Sequence, residues 1–403
     1  MAKRILIYTN HFYPEHFKIN DIVSWLSDRD LQIRVVTGLP NYPKGSIIRG
    51  YENSIQNKKY LENNNVIINR LFLIPRGSGS YFRILINYFS YFISCIFFTF
   101  FIAFTKKKYD IIIVHHTSPP LILIHPIIYS LFHKTKKYVW DLDVWPDTLV
   151  GLDIIKSKMI FNLIELFIKK IYSYYDTILI GSKSFKEIIQ KRYNGKIIYF
   201  PNWAEKPIEK NEIQRNIALK IPQNKFIIMY TGNIGEAQNF EELIPRLKFI
   251  NKNIHWVFVG DGRYKKLLIN LLAKHNLSEK VTLFNHVSVD EIPTYVSKAD
   301  CLFLSLRDKE IFSKTVPAKL QSYMAMQKPI LAVLKGEGAE IIQKSKCGFV
   351  EIGGDYDNLI KLANMISKKS KMELSNLSDN GRKFYDSNYK SIDRKKELLK
   401  LFN

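Results

Sequence analysis

At 403 residues the chain is long enough for two domains of ordinary size. Its 46% hydrophobic and 24% charged residues exclude a disordered chain, and three cysteines without a C-x-x-C argue against a disulfide framework or zinc site. A net charge of +23, from 60 basic and 37 acidic residues, requires an anionic partner: nucleic acid, an acidic membrane or phosphate-bearing substrates.

The apolar run Ile5–Tyr8 is too short for a signal peptide and reads as a first buried strand. Strands are expected at Arg4–Thr9, Ile33–Thr37, Val66–Leu73, Asp110–Val114, Lys137–Asp141, Thr177–Gly181 and Lys196–Phe200. A second series follows at Phe226–Thr231, Ile254–Val259, Val281–Phe284, Asp300–Ser305, Pro329–Val333 and Gly348–Ile352. Most are Ile/Val/Phe/Leu-rich without polar alternation, as strands buried on both faces should be. Helical stretches between them imply βαβ crossovers and parallel sheets. The pattern restarts near residue 225, after a polar linker that opens at Pro201-Asn202-Trp203 and runs to Asn224. Each half therefore reads as a doubly wound α/β domain. A crevice is expected between the two sets of strand C-termini, where ligands of such sheets bind. The last stretch, Ile392–Phe402, is an amphipathic basic helix.

Tyr81–Thr105 is almost wholly aromatic and aliphatic and ends in Lys106-Lys107-Lys108. Its length suits a membrane span. A span, however, would divide the first three strands from the fourth, and Arg83, Asn87, Ser90 and Ser94 fall on one helical stripe. A helix lying in an anionic membrane surface, or half-buried against its domain, is the expectation, with Lys134, Lys136 and Lys137 near headgroups. A buried core helix is the plainer alternative.

His11, Glu15 and His16 fall in the first strand-to-helix loop, and His115 and His116 end the strand that starts at Asp110. Histidines at strand C-termini face the expected crevice, where one can hold a reacting hydroxyl or line an acceptor site; otherwise they are structural. Asp141-Leu142-Asp143 has the form of a metal-holding D-x-D, but within Trp140–Asp147 it reads as a loop at the crevice rim or in the domain core. Thr231-Gly232-Asn233-Ile234-Gly235 follows a strand and precedes a helix near Asn239. Glycine there admits close backbone approach, and the helix N-terminus offers donors and positive dipole to a phosphate; a plain turn has the same signature. Gly260-Asp261-Gly262-Arg263 repeats the arrangement, with Arg263 placed to pair with phosphate or to be solvated. In Thr315–Pro329, Pro317 marks a helix N-terminus and puts Lys319 in the first turn. A cation there opposes the helix dipole unless an anion is bound, so Lys319 is either a phosphate ligand or a surface lysine.

Taken in order, Phe12-Tyr13-Pro14-Glu15, Thr37–Gly45, Asp143–Asp147, Pro201-Asn202-Trp203, Gly232–Gly235, Gly260-Asp261-Gly262, Val316-Pro317-Ala318-Lys319 and Gly336–Glu340 resemble retaining glycosyltransferases of family 4. The branch is similar to enzymes of O-antigen and capsule synthesis, especially L-fucosamine transferases. The resemblance implies the GT-B architecture of two Rossmann-like domains: an acceptor-binding, membrane-associated domain over 1–205, a nucleotide-sugar domain over 206–380, and a helix over 381–403 that returns to the first domain. It implies a UDP-linked donor, such as one carrying N-acetyl-L-fucosamine, and a polyprenyl-diphosphate-linked acceptor at the cytoplasmic face of the inner membrane. No cofactor, metal or nucleic acid is expected. His116 and Lys319 are the expected catalytic residues. Gly232, Asn233, Gly235, Gly262, Arg263, His286, Glu310, Lys319 and Ser322 are expected at the donor, and His11, Glu15, His115 and Asp143 at the acceptor. The paired glutamates of many members fall at Lys314 and Ser322 here, with Glu310 or Asp308 as substitutes. A catalytically silent membrane-bound partner and a GT-B sugar-nucleotide epimerase are the rival functions.

Overall fold

A computed structural model describes residues 3–52, 65–77, 79–117, 119–214 and 219–402. Ser118 and residues 215–218 of the expected linker lie outside the described residues. The chain forms two units, Met1–Phe200 with Lys395–Asn403, and Pro201–Arg394. The first division falls five residues before the expected 205 because Trp203 and Ala204 are fully buried and Ala204 belongs to the second unit's core. The second falls at Arg394 rather than 380. Arg382 of the helix Lys371–Asn388 donates to the carbonyls of Glu209 and Ala325, both at 2.9 Å, and so holds that helix in the second unit.

All thirteen expected strands form, with ends shifted by at most two residues. The first unit holds β1 (Lys3–Thr9), β2 (Leu31–Gly38), β3 (Val66–Leu71), β4 (Ile111–His116), β5 (Lys136–Asp141), β6 (Thr177–Ile180) and β7 (Lys196–Tyr199). They make one parallel sheet in the order β3-β2-β1-β4-β5-β6-β7. The second unit holds β8 (Phe226–Thr231), β9 (Ile254–Val259), β10 (Val281–Phe284), β11 (Cys301–Ser305), β12 (Ile330–Val333) and β13 (Gly348–Glu351), in the order β10-β9-β8-β11-β12-β13. Both are doubly wound: the chain runs outward one way, then restarts beside the first strand and runs the other. The crevices so opened lie at the C-terminal ends of β1 and β4, and of β8 and β11.

The helix Tyr81–Ala103 turns Asn87 and Ser90 of its polar stripe inward, while Arg83 at its start is exposed. Asn87 donates to the Ile74 carbonyl at 2.7 Å, the Ser90 hydroxyl accepts from the Ile74 N–H at 2.9 Å, and the Tyr91 hydroxyl donates to the Thr9 carbonyl at 3.1 Å. Thr99 bonds the Tyr8 hydroxyl at 3.0 Å. The helix therefore lies along its own sheet, and its phenyl rings point away from it. Helices that link β3 to β4, β4 to β5 and β5 to β6 all move the chain in one direction across the sheet. Right-handed crossovers place them on one face. Ile19–Ser27 links β1 to β2 in the opposite direction and covers the other face. The terminal helix Ser391–Phe402 joins it there through Lys395 and Asp28, 2.6 Å apart.

Candidate active site

In the second unit two glycine loops interlock at the end of β8. The Ile234 N–H donates to the Asp261 carbonyl at 2.8 Å, and the Tyr264 N–H to the Ile234 carbonyl at 3.1 Å. Gly260 has φ +155°, and a Cβ there would stand 1.9 Å from the Gly232 carbonyl oxygen, so no side chain fits. Lys319 lies against Gly232: a Cβ on Gly232 would meet its Cε at 2.6 Å. The amine sits 5.3 Å from the centroid of the Tyr230 ring, a cation–π contact. Among the described residues no carboxylate pairs with it. Burial alone holds its pKa down at about 8. A half-buried cation in the first turn of Ala318–Ala325, facing a loop of close-packed backbone, has the chemistry to pair with an anion. The helix Gly336–Ser345 begins beside it, Gly338 lying in contact range of Pro317.

Other expected donor residues are placed differently. Arg263 lies 3.6 Å from Glu236, which also pairs with Arg307 at 3.1 Å, so in this structure its guanidinium faces a carboxylate. Glu310 is turned outward and pairs with Lys314 at 3.4 Å, and Asp308 pairs with Lys335. His286 is exposed just beyond β10, a strand separated from β8 by β9, and is not gathered with Lys319. The Ser322 hydroxyl lies 3.4 Å from the Glu205 carboxylate, so an acidic group does stand at this position, supplied from the segment before β8. Asn233 and Gly235 fold over one another in the first loop: a Cβ on Gly235 would meet the Asn233 amide at 2.7 Å, and one on Gly262 would meet it at 2.6 Å. Tyr230, Glu236, Arg307 and Glu205 carried no local signal, because their partners come from other loops.

In the first unit His115 and His116 are the last two residues of β4, at the switch point of the sheet. The ladder with β5 continues through them, pairing His115 with Trp140 and His116 with Asp141, and both are buried. His115 Nδ1 meets the Thr9 hydroxyl at 3.0 Å, and burial lowers its pKa to about 3, so it is neutral. His116 Nδ1 lies 2.9 Å from Asp141 Oδ1, and the other carboxylate oxygen accepts from the Tyr172 hydroxyl. Glu15 is also committed. One oxygen accepts from the Asn41 and Tyr42 N–H groups at 2.7 and 2.6 Å and the other faces His11 Nδ1 at 2.8 Å, so it anchors the loop after β2. His11 Nε2 lies 2.8 Å from Arg76, which only donates. His11 therefore accepts there, carries its proton on Nδ1 and is neutral.

Arg76, Tyr88 and Asp143 form the open side of this cluster. Arg76 bonds the Tyr88 hydroxyl at 2.7 Å and lies over the Tyr42 ring, while burial, reinforced by Asp143, raises the Tyr88 phenol's pKa. Burial lifts the Asp143 pKa to about 7, against the opposing pull of His116. The native state thus holds a proton on Asp143 that the unfolded chain has lost, and stability falls as pH rises from 3.8 to about 7. Asp143→Asn is expected to abolish that slope. Its melting temperature relative to wild type should rise between about pH 4 and about pH 8. Parallel slopes for the two proteins would show that Asp143 does not titrate this way. Among the described residues no group of three His, Cys, Asp or Glu is placed to hold a metal ion. A cavity of about 780 Å³ lined by Lys3, Lys136 and Phe402 opens at the opposite edge of the sheet and shares no residue with this cluster.

Residues 211–384 match the family described as Glycosyl transferases group 1. The chain is 25% identical over 294 residues to the protein named Probable glycosyltransferase WbjE of Pseudomonas aeruginosa, covering 69% of this chain and 70% of that one. It is 25% identical over 344 residues to WcaI of Escherichia coli strain K12, whose name describes a glycosyl transferase of colanic acid biosynthesis, covering 80% and 81%. Among solved structures, Anabaena Alr3699/HepE in complex with UDP-glucose superposes with a TM-score of 0.68 at 14% identity, covering 99% of each chain. Sucrose-phosphate synthase of Thermosynechococcus elongatus gives 0.69 at 13%, covering 100% of this chain and 98% of that one. These likenesses show the fold, two Rossmann-like parallel-sheet units of GT-B type.

Proposed function

We propose that this chain, whose residues 211–384 match the family described as Glycosyl transferases group 1, is a glycosyltransferase that moves a sugar from a UDP-linked donor to a polyprenyl-diphosphate-linked acceptor. The observation that carries this reading is Lys319, a half-buried amine without a carboxylate partner among the described residues, lying against Gly232 at the switch point of the second sheet. As the glycosidic bond breaks, the departing UDP gains negative charge. Lys319 and the N-terminus of Ala318–Ala325 meet that charge without reorganising, so no divalent metal is needed in this reading. The acceptor hydroxyl attacks from the face the nucleotide leaves, which retains the anomeric configuration. Within the first unit Asp143 suits a general base better than His116, because burial places its pKa at about 7 while His116 is enclosed. A UDP donor is supported by the UDP-glucose complex of the Anabaena neighbour, and a place in surface polysaccharide synthesis by the name of WcaI. N-acetyl-L-fucosamine is the sugar we propose to offer first, with the enzyme at the cytoplasmic face of the inner membrane.

The test is a thermal-shift panel of UDP, GDP, ADP and CMP on the full chain. Selective stabilisation by UDP is expected, ~2.7 kcal/mol at 100 times its Kd. No shift with any nucleotide at saturation would overturn the donor assignment and favour a catalytically silent partner.

A further inference from the structure

One face of the first unit turns apolar side chains outward from two separate helices. On Tyr81–Ala103, Phe82, Phe97 and Phe101 are 72%, 72% and 66% exposed. On Lys158–Tyr172, Met159, Leu163 and Leu166 are 69%, 61% and 66% exposed, and their spacing puts them on one side of the helix. Ile168, Ile171 and Tyr172 already bury the opposite side. An ordinary crossover helix has one apolar stripe; this one has two. Both helices lie on the same face of the sheet, because β3 to β4 and β5 to β6 cross over in the same direction. Between them the β4-to-β5 connection ends in exposed Phe132, whose ring stands 5.0 Å from that of Phe104.

The charges on this face are mainly basic, with Asp110 and Asp176 as exposed carboxylates at the strands' N-terminal edge. Each crossover helix runs antiparallel to the strands, so its C-terminal end comes to the N-terminal edge of the sheet. That edge gathers exposed Lys106, Lys107, Lys108, Lys134, Lys169 and Lys170. Tyr81–Ala103 contains no acidic residue, and the lone carboxylate of Lys158–Tyr172, Glu165, pairs with Arg192 at 3.3 Å. A second copy seated on this face would set lysines against lysines, whereas anionic lipid complements the rim and takes up the phenyl rings. We infer that the whole helical layer docks on an anionic bilayer, with Lys158–Tyr172 as a second anchor beside Tyr81–Ala103. The inference rests on the reading above that the acceptor is lipid-linked. Two anchors fix how the unit lies on the surface, where a single helix leaves it free to roll.

The experiment is partitioning of the full chain onto vesicles of phosphatidylethanolamine with phosphatidylglycerol, and onto phosphatidylcholine alone. Wild type should prefer the anionic vesicles. Leu163→Glu with Leu166→Glu should weaken that binding about tenfold or more, as should Phe97→Glu with Phe101→Glu. Leu163→Gln, milder, should give a smaller loss in the same direction. Each variant is also assayed for a UDP thermal shift, which reads the second unit. Weakened vesicle binding with the UDP shift kept supports the inference. Unchanged binding by the Leu163/Leu166 variant overturns it. So does equal binding of wild type to both vesicle types. Self-association that disappears in this variant while vesicle binding persists would assign the face to a second copy. A wild type that binds vesicles as expected but gives no UDP shift keeps the docking face and overturns only the donor reading.

Discussion

Lys319→Ala is expected to lower glycosyl transfer roughly 10²–10³-fold, the loss seen when one preorganised charge-stabilising group is removed from a reacting centre. Lys319→Met is the cleaner probe, because its unbranched stem keeps the contact with Gly232 while removing the charge. The two proteins should also differ in pH dependence. Burial lowers the Lys319 amine from 10.5 to about 8. A bound diphosphate favours the ammonium and draws the pKa back up, so UDP binding takes up a proton once the free site has lost it. UDP affinity should be level below about pH 7 and weaken progressively above about pH 8. Folding stability should move the other way. Between 8 and 10.5 the unfolded chain keeps a proton the native amine has shed, so stability rises with pH across that window. Lys319→Met should flatten both slopes. Calorimetric titration of UDP across this range decides the matter: the same slope in wild type and Lys319→Met would remove Lys319 from the phosphate site.

Why the placement of Lys319 was readable and the carboxylate partner of Arg263 was not follows from where their determinants lie. Pro317 sets the helix start two residues before Lys319, so its first-turn position is written in local chain, whereas its contact with Gly232, from the loop after β8, is not. Arg263 sits in an equally suggestive loop, but its neighbour is Glu236, from the loop after a different strand, and no periodicity reports such a pairing. The strands were legible for a related reason. Runs buried on both faces have no polar alternation, and such runs mark β8 and β9 to the residue and β1 to within one. Reading β4 as ending at Val114 failed because histidine is not a core residue by type; its ladder partners Trp140 and Asp141 make it one. On Tyr81–Ala103 the spacing of Asn87, Ser90 and Ser94 revealed the stripe but not its direction. Ile74 supplies that direction, binding Asn87 and Ser90 and drawing the polar side inward.

Asp141→Ala should destabilise the first unit by about 3–5 kcal/mol, since one partner of a wholly buried pair is left without its counterpart. Asp141 and His116 are 0% exposed, and the carboxylate also holds the Tyr172 hydroxyl and the Asp143 N–H. Burial pushes the Asp141 pKa up, but pairing with His116, reinforced by Tyr172 and Asp143, outweighs it and keeps the group below its ordinary 3.8. The stabilisation is therefore complete above pH 3.8 and is lost as pH falls through and below that value. Removing all the polar partners together is a different experiment. His116→Leu, Asp141→Leu and Tyr172→Phe combined leave few buried polar groups unsatisfied, and the loss should be under half that of Asp141→Ala. Scanning calorimetry reads the first unit's transition, and the UDP shift reports whether the second unit is intact. Asp141→Ala no less stable than the triple variant would mean that the His116–Asp141 contact is not the buried polar pair the geometry describes. The triple variant also separates packing from chemistry. If it folds and still transfers sugar, His116 belongs to the core and Asp143 alone faces the acceptor. If it folds and transfer is lost with UDP binding intact, His116 Nε2, buried without a hydrogen-bond partner among the described residues, is the group whose loss stops the acceptor side of the reaction.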